Sequence, residues 1–364
     1  MEVYPLAQPK WLKLRCELCG NTAYLKCPDC KVTYYCDIDH MQSDLISIHG
    51  KICPLLSSLR TPFPFFLTDT QRQQYAEQMM QRKKHLVDIT YQEAQKFLCE
   101  GNHRTALPAA LHSLRFSIEI YGFKSVELVP AYLALAEANI GLGDLAQAQE
   151  YLAQAQWTVL KSSDCGSNIH HKLHRNLGRL YAAEGNLQES LYHFANDVYY
   201  ASEAFGTDDI RVTGGYFQMA NVFFCLNKRD IADSLYIEVT NIWNDHLCKL
   251  AKMQLQPAKD TCQLHTVTEE TVKEAFDVAQ KNEGCQILNA ILNFREQAIK
   301  QDPIKMMKVL DTLTLFHFVC TDFKKAREFG KRILRLNKQF PDQELPEILP
   351  SLLEWIELKL LASK

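Results

Sequence analysis

Small and apolar positions along this chain recur with a long, constant stride. Gly101, Gly143, Gly185 and Asn227 are each 42 residues apart. Seven residues before each stands a small residue (Ala94, Ala136, Gly178, Ala220), and five after each stands another (Ala106, Ala148, Ser190, Ala232). Nine after come Ala110, Leu152, Phe194 and Tyr236. The pattern predicts helix hairpins: the Gly or Asn supplies a left-handed turn residue, the small side chains mark close helix approach, and the larger ones fill the gap to the next hairpin. Gly122 and Gly206, 84 apart, fit breaks between hairpins. Pro108 falls inside a predicted second helix and is expected to kink or shorten it.

Around this array the pattern changes. Residues 54–68 hold three prolines and three phenylalanines and read as an extended connector. From Asp69 a polar helical stretch leads into the array, and its basic run Arg82, Lys83 and Lys84 reads as a solvated face. After Trp243 the register fails: 252–268 reads as a loop, 269–300 as a degenerate helical pair and 303–335 as a further hairpin. An amphipathic helix from Glu344 to Leu361 would cover the last repeat. The expected organisation is a cysteine-rich head at 16–53, a connector at 54–68, a long helix with four repeats at 69–243, and degenerate repeats with a capping helix at 244–364.

Composition narrows the function classes. Forty Lys and Arg against 43 Asp and Glu, a net charge of −3, give no overall pull towards nucleic acid or anionic membrane. The N-terminus lacks the pattern of a signal peptide, and no apolar run is long enough for a membrane-spanning helix, so a cytoplasmic, reducing setting is expected. There are 13 cysteines; six lie between Cys16 and Cys53, and the other seven stand singly and read as small buried hydrophobes.

The clustered cysteines carry chemistry. They form the pairs Cys16/Cys19, Cys27/Cys30, Cys36/His40 and His49/Cys53. An x2 spacing lets both thiolates of a knuckle reach one ion, and an x3 spacing puts two ligands on one face of a helical turn. Eight ligands make two tetrahedral sites of three thiolates and one imidazole, for which zinc fits best. With four protein ligands each, the two Zn2+ would be structural. Spacing allows either sequential or interleaved pairing.

These ligands, with Tyr34, Tyr35 and Asp44, resemble the MYND zinc finger. The resemblance implies interleaving: Cys16, Cys19, Cys36 and His40 in one site, and Cys27, Cys30, His49 and Cys53 in the other. Three departures stand out. His40 replaces the usual Cys. Eight residues rather than seven separate His40 from His49, implying a bulge in the last helix. The family's Trp is Leu45 here, and the Gln usually next to the sixth ligand is displaced to Gln42; those Gln and Trp positions line the groove in which some MYND fingers hold proline-rich peptides. Between Lys10 and Cys53, six bases against five acids leave no basic footprint for DNA, so the head is expected to contact protein.

The array resembles the tetratricopeptide repeat (TPR), best over 173–194 (LHRNLGRLYAAEGNLQESLYHF), and its long period is similar to that of kinesin light chains. The fold class expected is mainly α, a MYND double-zinc finger followed by a TPR solenoid. The likeness implies a concave binding face carrying Gln95, Glu137, Arg179 and Asn221, flanked by Lys172, Arg175, Asn176, Phe217 and Gln218, suited to an acidic partner. His170, His171 and His174 have no supporting ligand at metal spacing.

No phosphate loop, Ser/His/Asp signature or open metal site is present in the sequence, so no catalytic residues are assigned. The function expected is a non-catalytic adaptor. MYND finger proteins with TPR arrays imply the ciliary or flagellar axoneme, near inner dynein arms and another TPR protein. The alternatives are a MYND corepressor adaptor and a SET-type lysine methyltransferase relative, for whose SET domain the chain leaves no room.

Overall fold

A computed structural model describes residues 14–60, 68–162, 165–255, 278–298, 302–340 and 345–362. The expectations for 61–67, 256–277 (with Cys262), 299–301 and 341–344 concern residues outside those described. The chain is mainly α and divides into two compact units, Met1–Glu184 and Gly185–Lys364. Among the described residues no helix is long and apolar enough to cross a membrane.

The first unit opens on a two-stranded antiparallel ribbon, β1 (Leu25–Lys26) and β2 (Tyr34–Tyr35). Helix α1 (Ile38–Asp44) follows, then a π-helical turn at Leu45–His49 and α2 (Gly50–Arg60). The π turn is where the long His40-to-His49 interval implied a bulge. Residues 54–60, expected to be extended, instead continue α2. The reason is local: Ile52 and Leu56 are fully buried on one face, and that burial outweighs the backbone donor that Pro54 withdraws.

Next come α3 (Asp69–Cys99), α4 (His103–Tyr121), α5 (Val129–Leu142), α6 (Leu145–Lys161) and α7 (Ser167–Ala183). Gly101 and Gly143 have φ of 75° and 80°, so each turn does use the left-handed residue the 42-residue column predicts. Asp144 then caps α6 by accepting from the Gln147 N–H. Pro108 does not shorten α4, which runs through it from His103 to Tyr121. Beside it, the Ser47 hydroxyl donates to the Thr105 carbonyl at 2.6 Å and accepts from the Ala109 N–H at 3.2 Å, so the finger satisfies the rung next to the proline.

The second unit holds α8 (Leu187–Phe205), α9 (Ile210–Cys225), α10 (Arg229–Leu255), α11 (Val278–Glu296), α12 (Pro303–Val319), α13 (Phe323–Gln339) and α14 (Leu349–Ala362). Asn227 takes φ of 60° at the α9–α10 turn, and Thr321 takes 62° at the α12–α13 turn. A β-branched residue in that region is rare; the turn falls inside the further hairpin expected at 303–335, though without the Gly or Asn of the periodic column. All twelve residues of the three periodic columns are buried.

The core of the second unit is built around Trp243, Phe316, Phe318 and Leu313. A Cβ placed on Gly284 would lie 2.5 Å from Cη2 of Trp243 and 3.1 Å from Cε2 of Phe316. Gly284→Ala is therefore expected to destabilise by about 1–2 kcal/mol, because overpacking outweighs the gain in helix propensity. A lowered urea midpoint checks this, and a raised one refutes it.

The same core buries Asp311, whose Oδ2 accepts from Asn244 Nδ2 at 2.9 Å, while Lys308 donates to Asn244 Oδ1 at 2.7 Å. Burial pushes the Asp311 carboxyl above the usual range, against the opposing pull of Asn244 and Lys308. The folded state thus binds this proton more tightly than the unfolded chain does. Stability from this group is fully present below the ordinary Asp value and is lost as pH rises through the raised one. Asp311→Asn should flatten that part of the profile, and thermal melts between about pH 4 and 7 would show it. An unchanged profile would refute the assignment.

Candidate metal centre

The ribbon, α1, the π turn and α2 bring eight side chains into two groups. Cys16, Cys19, Cys36 and His40 form one; Cys27, Cys30, His49 and Cys53 form the other; within each, the ligand atoms all lie within 4.8 Å of one another. The interleaved arrangement, left open by spacing, is the one the fold makes. The first knuckle, ahead of β1, is joined by Cys36 directly after β2 and His40 on α1; the second, between the strands, is joined by His49 of the π turn and Cys53 of α2.

The spacing of the donors fits zinc. Tetrahedral zinc with bonds of ~2.3 Å to sulfur requires sulfurs ~3.8 Å apart. Cys19 and Cys36 Sγ are 3.5 Å apart, and Cys27 and Cys53 Sγ are 3.9 Å apart. Nδ1 of His40 lies 3.6 Å from Cys16 Sγ and 2.9 Å from Cys36 Sγ, and Nε2 of His49 lies 3.7 Å from Cys30 Sγ and 3.2 Å from Cys27 Sγ. Four protein donors close each cage. When bound, zinc supplies a cross-link between distant chain segments.

The electrostatics point the same way. Burial tends to raise the Cys16 thiol, yet the N–H groups of Cys19, Leu18 and Cys36 hold it down to about 7. In the second group burial likewise opposes ionisation of Cys30, while Thr33 Oγ1 at 3.2 Å and the Val32 N–H draw it down. Burial and then repulsion from Cys30 and Cys27 push Cys53 up to about 12. Cys36 is raised by the adjacent Asp37 carboxylate. A dication held by each set would offset this mutual repulsion and favour the ionised thiolates. Burial lowers His49, leaving the neutral imidazole that a metal needs.

Behind the second cage sits a polar network that the sequence did not reveal. Asp44 is fully buried; Tyr35 donates to its Oδ2 at 2.6 Å, His112 Nε2 on α4 donates to its Oδ1 at 2.9 Å, and Nδ1 of His49 stands 3.8 Å away. Burial opposes the charge on Asp44, but the bonds from His112 and Tyr35 keep its carboxyl below the usual range. Glu17, next to Cys16, pairs with Arg60 of α2 and with Arg115 of α4, whose Nη2 also donates to the Glu17 carbonyl at 2.6 Å. Ile48, Ile52 and Leu56 share one core with Leu86, Ala94, Leu98 and Phe116. The finger is therefore packed on its own first repeat.

Residues 16–53 match the family model described as MYND finger. The head is a MYND finger. A solved structure titled "Crystal structure of BtubC (BKLC) from P. vanneervenii" is similar at 14% identity over 64% of this chain and 89% of that chain, with a TM-score of 0.31. At that score the likeness is loose, and the repeat architecture rests on the helices themselves.

The other predicted site residues are distributed as follows. On α7, Lys172 is exposed, Arg175 is half-buried, and Asn176 is buried with its Nδ2 donating to the Lys172 carbonyl. Arg179 pairs with Glu137 at 2.7 Å, one period away on α5. On α9, Phe217 packs 5.9 Å from the Tyr236 ring, Gln218 is half-buried, and Asn221 Oδ1 accepts from Tyr236 at 2.7 Å. His171 lies 3.1 Å from Asn168 Oδ1, and among the described residues the three histidines of α7 join no metal-type group.

Proposed function

We propose that this chain is a non-catalytic adaptor that joins other proteins through its helical repeats. The observation that carries the reading is the closure of both cages by four protein ligands each, which leaves the metals a structural role beside a set of TPR-like helix hairpins. Lys172, Arg175, Asn176 and Arg179 on α7, and Phe217, Gln218 and Asn221 on α9, are the residues proposed to receive partners, which are acidic protein segments. The finger contributes rigidity, since Asp44, Glu17 and Ser47 tie it to α4.

The setting proposed, on the resemblance alone, is the ciliary or flagellar axoneme, with inner-arm dynein and another TPR protein as partners. Affinity enrichment of the tagged, zinc-loaded chain from ciliated tissue, read by mass spectrometry, tests it. Recovery of axonemal dynein components, reduced by Lys172→Glu with Arg175→Glu, is the expected result. Absence of the protein from isolated axonemes would refute the placement. Turnover of any substrate by the purified protein would refute the adaptor reading.

A further inference from the structure

A one-sided basic surface of this near-neutral chain lies on α13. Lys324, Arg327, Lys331, Arg335 and Lys338 follow one another at intervals of three, four, four and three residues. At about 100° per residue these positions fall within an arc of about 80°, and they extend about 21 Å along the helix. All five are exposed or half-buried, and among the described residues none has a carboxylate partner. The neighbouring cations off the stripe are engaged: Lys325 with Asp322 at 3.4 Å, and Arg332 with Glu296.

The opposite face of the helix is held in place. Ala326, Gly330 and Ile333 are buried, and a Cβ on Gly330 would meet a terminal methyl of Leu353 on α14 at 2.7 Å, so the two helices approach closely there. The stripe is thus displayed on a rigid support. Beside it opens a cleft of about 350 Å3 lined by Met306, Leu336, Arg335 and the Glu296–Arg332 ion pair, which leaves the Glu296 carboxylate neutralised.

We propose that this face of α13 is a docking surface for an acidic α-helical segment of a partner protein. A helix presenting carboxylates at alternating intervals of three and four matches the stripe's period, and an apolar side chain beside them would enter the cleft. Glu328 flanks the stripe, which opposes a uniform polyanion. No exposed aromatic stands between Lys324 and Lys338 to stack on bases. The proposal deepens the adaptor reading by adding a second surface, distinct from α7 and α9.

The test is a fluorescence-anisotropy titration of the full-length, zinc-loaded protein. The probe is a synthetic helical peptide with glutamates at alternating intervals of three and four and one leucine. Saturable binding that weakens with salt is expected. Lys331→Glu with Arg335→Glu, both at exposed positions, should weaken it on the order of tenfold or more, with circular dichroism unchanged. Lys331→Arg should keep it. Lys172→Glu with Arg175→Glu should leave it intact, so failure of the stripe and failure of the adaptor reading are separable. The proposal is overturned by absence of binding, by equal affinity for a scrambled peptide of the same composition, or by an unaffected charge-reversal variant. Tighter binding of a thymidine oligonucleotide or of phosphatidylserine vesicles would also overturn it.

Discussion

Cys30→Ala is expected to release one of two zinc ions and to loosen the first repeat along with the finger. Cys30 is buried in the cage it shares with Cys27 and with His49 and Cys53, the last two sitting at the end of the π turn and the start of α2. Ile48, Ile52 and Leu56 on those same segments form part of the core of α3 and α4. Structural zinc contributes roughly 10–16 kcal/mol to folding of small fingers, as much as the whole stability of an ordinary domain. Losing that cage therefore removes the support of the core packed behind it. Cys19→Ala empties the other cage, where Cys19 is exposed and Cys36 and His40 lie ahead of the π turn. It is expected to lose one zinc with much less effect on α3 and α4. Native mass spectrometry counts the ions, and hydrogen exchange reports protection in α3 and α4. Equal protection loss in both variants would refute the coupling to the second cage.

Asp44→Ala is the second large effect. The carboxylate has no exposure to solvent and takes hydrogen bonds from Tyr35 on β2 and His112 on α4. Removing it leaves a buried phenol and a buried imidazole without their acceptor. Breaking such a site from one side costs about 3–5 kcal/mol. Asp44→Asn keeps one acceptor oxygen, so its loss is expected to be smaller, about 1–3 kcal/mol. Urea unfolding of the zinc-saturated proteins measures both. Near-equal stability of Asp44→Ala and the parent would show that the network contributes nothing. Zinc stoichiometry should stay at two in both variants, because Asp44 is not a ligand, and this separates the effect from that of Cys30→Ala.

Much of this protein is legible in its sequence, wherever structure depends on near neighbours. The ligand pairs are encoded by spacing within a turn or a knuckle, and the turns of the periodic hairpins by a glycine or asparagine, which most readily adopt the left-handed backbone. The long interval to His49 announced the π turn. Periodic small residues marked helix contacts because close approach leaves room for nothing larger. The spacing of basic residues on α13 was equally present in the sequence; only its exposure and its lack of partners needed coordinates.

Contacts between distant segments had no such marker. His112 meets Asp44 across 68 positions and Arg115 meets Glu17 across 98, and nothing local distinguishes these side chains from solvated ones. The fate of Pro108 was settled by Ser47, and that of residues 54–60 by a buried face that exists only once α3 is alongside. By itself the sequence determined the metal-binding head, the helical body and the stride of its repeats, since each follows from chemistry within a few turns of chain. Tertiary structure alone decided that head and first repeat share one core, because the free energy of burying an ion pair or an apolar face depends on what the fold brings against it.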